Sequence, residues 1–218
     1  LRELGRLDEA VANYNKALAI KPDFANAHSN LGNVLRELGR LDEAVANYNK
    51  AIAIKPDLAE IHNNLGNALQ DLGRLDKAVT SFHKALNIQP DYAEAHSNLG
   101  VALQKLGKLD EAVASYHKAI AIRPDNAEAH SNLGNAFKDL GKLDEAVASY
   151  HKALIIKPDF AEAHNNLGTV LNKLGRMDEA VASYQKVLAI KPDHAEAHSN
   201  LGNTLKKLGQ LDEAVASY

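Results

Sequence analysis

The sequence predicts an all-α solenoid, in which antiparallel helix pairs stack one after another along the chain. The main observation is that all 6 prolines and all 13 glycines fall on one 34-residue spacing. They form three series: Pro22, Pro56, Pro90, Pro124, Pro158 and Pro192; Gly5, Gly39, Gly73, Gly107, Gly141, Gly175 and Gly209; and Gly32, Gly66, Gly100, Gly134, Gly168 and Gly202. A second observation is that every copy carries two stretches of apolar residues at helical spacing. A fixed period of this length with two helices per copy is characteristic of a solenoid.

The repeats are counted from the alanine three residues after each proline. This register gives five full repeats and a partial repeat at each end: 1–24, 25–58, 59–92, 93–126, 127–160, 161–194 and 195–218. The chain would then start inside one helix and stop inside another. We therefore expect a single array that is a section of a longer one.

The first helix of each repeat is predicted from its apolar face. In repeat 25–58, Leu31, Leu35 and Leu38 are spaced by four and three residues, which places them on one side of a helix. Gly39 follows, where glycine can adopt the left-handed conformation that ends a helix.

The second helix is predicted from residue 41, where a new apolar series begins. Its members are Leu41, Ala44, Val45, Tyr48, Ala51 and Ile52. Asp42 and Glu43 would lie in the first turn, where the helix dipole favours negative charge. Pro56 would stop the helix, because the residue before a proline is disfavoured in helical conformation.

A capping box is predicted at the start of each first helix, with an aspartate as the cap and a glutamate three residues later. The pairs are Asp57/Glu60, Asp91/Glu94, Asp125/Glu128, Asp159/Glu162 and Asp193/Glu196. Asp23 is the exception, because Asn26 stands where the glutamate would be.

Composition narrows the classes of partner. The chain has 25 basic and 28 acidic residues, a formal net charge of −3, and no cysteine. This balance gives no electrostatic case for binding nucleic acid or an anionic membrane. No apolar run approaches the ~18 residues that span a bilayer. We expect neither a nucleic-acid nor a membrane partner, and a cytoplasmic location.

The histidines do not predict a metal site. Six of them recur once per repeat: His28, His62, His96, His130, His164 and His198. Stacked helices lie roughly 8–10 Å apart, too far for shared ligation at about 2.1 Å. We interpret these histidines as half-buried packing residues, and we expect no catalytic centre and no cofactor.

The repeat resembles the tetratricopeptide repeat (TPR) family. Its small and apolar positions are matched by Leu31, Gly32, Ala44, Tyr48, Ala51 and Pro56, and by their equivalents in the other copies. The first helix departs from the family, because histidine stands at one of the family's two large aromatic positions and leucine at the other, except at Phe137. The resemblance implies a right-handed superhelix whose first helices line a concave groove that binds peptides. The amino-acid sequence of the repeat is also similar to that of the repeat array of O-linked N-acetylglucosamine transferases and similar bacterial proteins.

Candidate binding residues form a stripe on the first helices, on the side away from the second helices. The most regular part is an asparagine column: Asn30, Asn64, Asn98, Asn132, Asn166 and Asn200. Asparagine inside a helix costs roughly 0.5 kcal/mol relative to alanine, so a compensating role is expected. A side-chain amide can both donate to and accept from a peptide backbone, and the resemblance to the transferases implies such an asparagine ladder. Alternatively, these asparagines bond the neighbouring repeat.

Further members of the stripe lie near the ends of the first helices. They are the asparagines Asn33, Asn67, Asn135 and Asn203 and the lysines Lys138, Lys173 and Lys206. The lysines make the C-terminal part of the rim basic. This predicts an acidic ligand segment there, unless the lysines form only a solvated helix face.

The sequence therefore predicts a non-catalytic scaffold that binds proteins or extended peptides. One alternative is the substrate-recruiting segment of a larger glycosyltransferase. Another is a self-assembling array, because uncapped ends would expose apolar surface and stack head to tail. The leucines and valine expected at those ends are Leu1, Leu4, Leu7, Leu205, Leu208, Leu211 and Val215.

Overall fold

The computed structural model describes residues 2–210, with side chains described from residue 6. Within this range the regular structure is entirely helical, which confirms the prediction of an all-α repeat solenoid. The helices are α1 (Arg2–Ile20), α2 (Ala25–Glu37), α3 (Leu41–Ile54), α4 (Ala59–Asp71), α5 (Leu75–Ile88), α6 (Ala93–Lys105), α7 (Leu109–Ile122), α8 (Ala127–Asp139), α9 (Leu143–Ile156), α10 (Ala161–Lys173), α11 (Met177–Ile190) and α12 (Ala195–Lys207). Over the described residues, none of these helices is both long and apolar enough to cross a membrane.

The helix boundaries follow the repeat. First helices begin at the alanine that the sequence predicted, and α3 begins at Leu41 as expected. Gly39 has a φ of 73°, its N–H donates to the Arg36 carbonyl at 3.0 Å, and the Arg40 N–H donates to the Leu35 carbonyl at 2.8 Å. These two bonds form the Schellman motif, which satisfies carbonyls at the helix end and needs the left-handed glycine.

Contacts divide the chain into two compact units, Leu1–Ile122 (unit 1, with α1 to α7) and Arg123–Tyr218 (unit 2, with α8 to α12). Within each unit every helix packs against the next helix in the chain. First helices also contact the first helix of the next repeat: α2 with α4, α4 with α6, α8 with α10 and α10 with α12. Among the described helices of each unit, second helices of successive repeats make no such contact. The face of the first helices is therefore the inner, concave side of each unit.

A glycine and an aromatic ring set the distance between the two helices of a repeat. Tyr48 is fully buried, and a Cβ added at Gly32 would lie 2.6 Å from its ring. The same contact recurs in the other full repeats: Gly66 with Phe82, Gly100 with Tyr116, Gly134 with Tyr150 and Gly168 with Tyr184. Only a residue without a side chain admits the ring at this position.

The predicted capping boxes are wrong. The N-cap of α4 is Leu58, one residue after Asp57, and no side chain caps that helix. The aspartates precede the N-cap because each Pro-Asp pair forms the turn between repeats. Two later residues at the Leu58 position do cap: Asn126 Oδ1 accepts from the Ala129 N–H at 3.0 Å, and His194 Nδ1 accepts from the Ala197 N–H at 3.2 Å.

One residue of the predicted apolar ends is also corrected. Leu205 is only 3% exposed, because it packs in the core cluster with Leu171 and Leu201. Leu208 is 36% exposed and Leu7 is half-buried. The remaining predictions on the ends concern the side chains of Leu1, Leu4, Leu211 and Val215, which lie outside the described residues.

Candidate functional site

The predicted binding residues lie on the concave face of the first helices within each unit, which we call the groove of that unit. In the asparagine column, Asn30 is exposed, and Asn64, Asn98, Asn132, Asn166 and Asn200 are half-buried. Of the other candidates, Asn33, Asn67, Asn135 and Lys138 are half-buried, and Asn203, Lys173 and Lys206 are exposed. All of these side chains therefore keep some access to solvent.

A buried tyrosine links two groove asparagines in unit 1. The Tyr48 hydroxyl donates to Asn33 Oδ1 at 2.7 Å, and Asn64 Nδ2 donates to the same oxygen at 3.3 Å. Asn33 lies on α2 and Asn64 on α4, so this bond also joins two repeats. We call two asparagines linked in this way, one from each of two successive repeats, an amide couple.

Unit 2 contains a second amide couple at the equivalent position. The Tyr150 hydroxyl donates to Asn135 Oδ1 at 2.7 Å, and Asn166 Nδ2 donates to that oxygen at 3.1 Å. The arrangement therefore recurs where an asparagine stands fifteen residues before the tyrosine.

Repeat 59–92 differs from both, because it has Phe82 instead of tyrosine and Asn63 instead of serine. Asn98 Nδ2 donates to Asn63 Oδ1 at 3.1 Å, although Asn67 stands at the position equivalent to Asn33. Asn63 is fully buried, and its Nδ2 donates to Glu94 Oε1 at 3.2 Å. The sequence carries a signal for this different bond, since Asn63 replaces the serine that follows the histidine in most repeats.

Three members of the asparagine column thus bond the neighbouring repeat, which is the alternative role that the sequence left open. Each bond uses the amide nitrogen of Asn64, Asn98 or Asn166. Over the residues that the structure describes, the Oδ1 atoms of these three side chains accept no bond. An amide of the column can therefore hold the neighbouring repeat and still present an acceptor to a ligand.

In unit 1 the groove contains an acidic cavity of about 570 Å³. Its charged residues are Arg36, Glu37, Glu60, Asp71 and Glu94. Arg36 Nε donates to Asp71 Oδ2 at 2.6 Å, so the single cation is paired. The surplus of carboxylates favours a positively charged side chain in this cavity.

Tyr92 lines the same cavity, and the negative charge of the cavity affects the pKa of its hydroxyl. Burial raises the pKa of the Tyr92 hydroxyl, and the Glu94 and Glu60 carboxylates raise it further. Both effects oppose the formation of a phenolate, so the Tyr92 hydroxyl stays neutral.

In unit 2, two lysines of the predicted basic rim stand at repeat positions that line the acidic cavity in unit 1. Lys138 and Lys173 occupy the positions of Arg36 and Asp71, three repeats later. Within the described residues, neither Lys138, Lys173 nor Lys206 forms an ion pair.

The first-helix histidines have a role that the sequence analysis missed. The Nε2 of each one donates to the carbonyl of the proline six residues earlier, at 2.9 to 3.1 Å. The first four are buried, more deeply than expected, whereas His164 and His198 are half-buried. The constant spacing of six from proline to histidine was the available signal. Over the described residues, no group of His, Asp or Glu side chains is arranged to hold a metal ion.

Comparisons with known proteins agree with this architecture. A family profile described as TPR repeat matches residues 1–35, 32–73, 66–107, 105–141, 134–175 and 168–209. A search of curated proteins finds no match.

Several solved structures are similar. A crystal structure of MamA is 30% identical with a TM-score of 0.69, over 76% of this chain and 97% of that one. YrrB, described as a TPR protein with an unusual peptide-binding site, is 26% identical with a TM-score of 0.67, over 84% of this chain and 95% of that one. PilF of Pseudomonas aeruginosa, at 20% identity and a TM-score of 0.79 over 88% of each chain, shares the fold.

The TPR fold indicates a scaffold for protein or peptide interaction. The family profile covers nearly all of the sequence, and the helix pairs carry the glycine, aromatic and proline positions of the repeat. The chain belongs to the TPR repeat family.

Proposed function

We propose that the groove binds an extended peptide segment of a partner protein, and that the asparagine amides hold the peptide main chain. The observation that carries this proposal is the pair of amide couples, at Asn33 with Asn64 and at Asn135 with Asn166. Each couple brings two amides together on a solvent-accessible face. Amides bond peptide N–H and C=O groups whatever the peptide sequence.

Charge along the groove would add preference for particular side chains. The carboxylates around Glu37, Glu60 and Glu94 favour basic peptide residues in unit 1. Lys138, Lys173 and Lys206 favour acidic residues in unit 2. The proposed ligands are therefore basic peptide segments for the groove of unit 1 and acidic peptide segments for that of unit 2.

The test starts from a random library of displayed 12-residue peptides selected against the whole chain. The strongest peptide is synthesised, and its Kd is measured by isothermal titration calorimetry. The groove variant carries Asn98→Ala, Asn132→Ala and Asn166→Ala. We expect it to bind at least tenfold more weakly, which corresponds to the loss of about 1.4 kcal/mol.

A matched control removes three exposed asparagines from second helices: Asn13→Ala, Asn49→Ala and Asn87→Ala. The control should bind as the wild type does. Unchanged affinity of the groove variant together with a lower melting temperature would show that the column serves packing. Failure of the wild-type chain to select any peptide would also refute the proposal.

Two further hypotheses stay predictions. A substrate-recruiting role within a larger glycosyltransferase and head-to-tail assembly through the ends would both use the same repeat architecture. A concentration-independent monomeric mass in light scattering would refute the assembly.

A further inference from the structure

We propose that Tyr48 and Tyr150 are positioning residues of the groove, which orient each amide couple so that it presents one donor and one acceptor in a fixed order. This inference rests on the proposed function, because it concerns how the same groove recognises a peptide main chain. It starts from the hydroxyl groups, which reach the groove asparagines from the buried side.

The first step is the need of a buried hydroxyl for an acceptor. Tyr48 is 0% exposed, and an unsatisfied buried donor costs about 1–3 kcal/mol. The acceptor is Asn33 Oδ1, at 2.7 Å. Asn33 therefore holds its oxygen toward the tyrosine, and its Nδ2 is the donor left for the groove.

The second step passes this orientation to the next repeat. Asn64 Nδ2 donates to the same Asn33 oxygen, so Asn64 turns its own Oδ1 away from that bond. Within the described part of the chain, Asn33 Nδ2 and Asn64 Oδ1 have no other partner, and both side chains line the cavity of unit 1. The couple thus presents a donor and an acceptor, which matches the C=O and N–H of a peptide chain.

The third step considers an amide couple without the tyrosine hydroxyl, which could adopt either of two orientations. If both amides of a couple were turned over, the bond between them would form equally well, with donor and acceptor exchanged. The tyrosine removes this degeneracy, because a turned amide would donate to the phenolic oxygen and take away the acceptor of the buried O–H. The couple is then ordered before the peptide arrives, which lowers the entropic cost of binding.

The repeat with Phe82 provides a natural comparison. No hydroxyl faces Asn67, and Asn98 bonds Asn63 instead of Asn67. The other tyrosines also differ, since Tyr116 donates to Gln104 Oε1 at 3.1 Å and Tyr184 to Thr169 Oγ1 at 3.4 Å. Among the residues that the structure describes, a bond from the asparagine column to an asparagine at the Asn33 position of the preceding repeat is seen at Asn33 and Asn135, where the hydroxyls of Tyr48 and Tyr150 meet that asparagine.

The experiment uses the whole chain and the 12-residue peptide selected from the library. The double variant Tyr48→Phe with Tyr150→Phe keeps both rings and removes both hydroxyls. We expect a Kd roughly three- to tenfold weaker, from the loss of preorganisation in two couples. Tyr184→Phe is the matched control, because it also removes a buried hydroxyl but none that contacts a couple, and it should leave the Kd unchanged.

A gain-of-function variant tests the converse. Phe82→Tyr adds the missing hydroxyl opposite Asn67, and we expect Asn98 to move its bond to Asn67 and the Kd to improve about twofold. Equal weakening by the double variant and by Tyr184→Phe would overturn the inference. Wild-type affinity of the double variant would overturn it as well.

A measurement without peptide separates this inference from the proposed function. Side-chain amide signals in ¹H–¹⁵N NMR should show one environment each for Asn33 and Asn64 in the wild type, and two or averaged environments in Tyr48→Phe. Unchanged signals would refute positioning even if peptide binds. If no library peptide binds, the proposed function fails, while these signals still decide whether the tyrosines orient the amides.

Discussion

The repeats of Tyr48 in unit 1 and Tyr150 in unit 2 have the same packing of a ring against a glycine but different charges in the groove. Tyr48 and Tyr150 are both 0% exposed, and each donates to its asparagine at 2.7 Å. The charged groove positions of unit 1, which are Arg36, Glu37, Glu60, Asp71 and Glu94, correspond three repeats later to Lys138, Asp139, Glu162, Lys173 and Glu196. One cation and four carboxylates thus become two cations and three carboxylates.

The comparison shows which positions the fold constrains. A ring that touches a glycine of the facing helix leaves no room for change, because a Cβ at Gly32 or Gly134 would lie 2.6 or 2.7 Å from it. Arg36 and Asp71 point to solvent, with exposed side-chain fractions of 40% and 38%, and tolerate replacement by lysine in the other unit. Stability is therefore set in the interior of each repeat, and preference among ligands can vary along the groove.

The largest expected effect tests whether the two interiors are equivalent. Tyr48→Ala and Tyr150→Ala should each lower the free energy of unfolding by about 3–5 kcal/mol, because each deletes a buried ring and leaves a cavity. Urea denaturation followed by circular dichroism measures both. Losses that differ by more than the experimental error would contradict the claim that the interiors are the same.

The second prediction concerns stability at alkaline pH. It tests whether charged residues of the groove change the pKa of the buried tyrosines. Burial raises the pKa of Tyr48 from 10.0 to about 12, although the Arg36 guanidinium opposes the shift. Burial also raises the pKa of Tyr150, and the Asp139 and Glu162 carboxylates raise it further. The folded state thus holds these protons more tightly than the unfolded state.

The sign of the pH dependence follows from this difference. The stabilising contribution of Tyr48 is complete below the unfolded pKa of 10.0 and is lost as pH rises to about 12. Urea unfolding between pH 9 and 12 should therefore show a fall in stability that is shallower in Tyr48→Phe and in Tyr150→Phe. The contribution of Tyr150 should persist to higher pH than that of Tyr48. A fall as steep as the wild type in both variants would contradict the role of these tyrosines.

The smallest expected effect exchanges the groove charges of the two units. Asp71→Lys gives unit 1 the residue of unit 2, and Lys173→Asp does the reverse. The library-selected peptide is extended with two lysines or with two glutamates. Asp71→Lys should weaken binding of the lysine form roughly threefold, since exposed charges contribute less than about 1 kcal/mol.

This measurement has two controls, one at high salt concentration and one with a variant outside the groove. The threefold difference should vanish near 1 M salt, where the screening length is about 3 Å. Lys84→Asp, on an exposed position of α5, should have no effect. A change of the same size in Lys84→Asp would show that only net charge matters and that the groove has no local preference.

The local features of the fold were predictable from the sequence. The starts of the helices at Ala25 and Leu41 and the left-handed Gly39 follow from spacing and from the conformational limits of single residues. Asp57 was assigned as a cap wrongly, because the same local rules allow either of two neighbouring residues to begin the helix. The turn formed by Pro56 and Asp57 decides between them.

The candidate site was predictable only in part. The asparagine column, with Asn64 and Asn166, could be placed on one helix face because the repeat period and the helix period are both known. Its bonds could not be predicted, since Asn98 and Asn64 occupy the same position of the repeat and yet donate to different partners. The two repeats differ both at the ring of the facing helix, Tyr48 or Phe82, and at the residue after the histidine, Ser29 or Asn63.

The repeat length, the helical class, the pairing of helices and the face on which the asparagines lie could all be predicted from the amino-acid sequence, because they depend on periodicity along one chain. The pairing of amide atoms, and the amide atoms that remain for a ligand, could be found only from the packing of the helices. A hydrogen bond such as that of Asn64 to Asn33 joins residues 31 positions apart. Its geometry depends on distances between stacked helices, and a difference of about 1 Å decides whether such a bond forms.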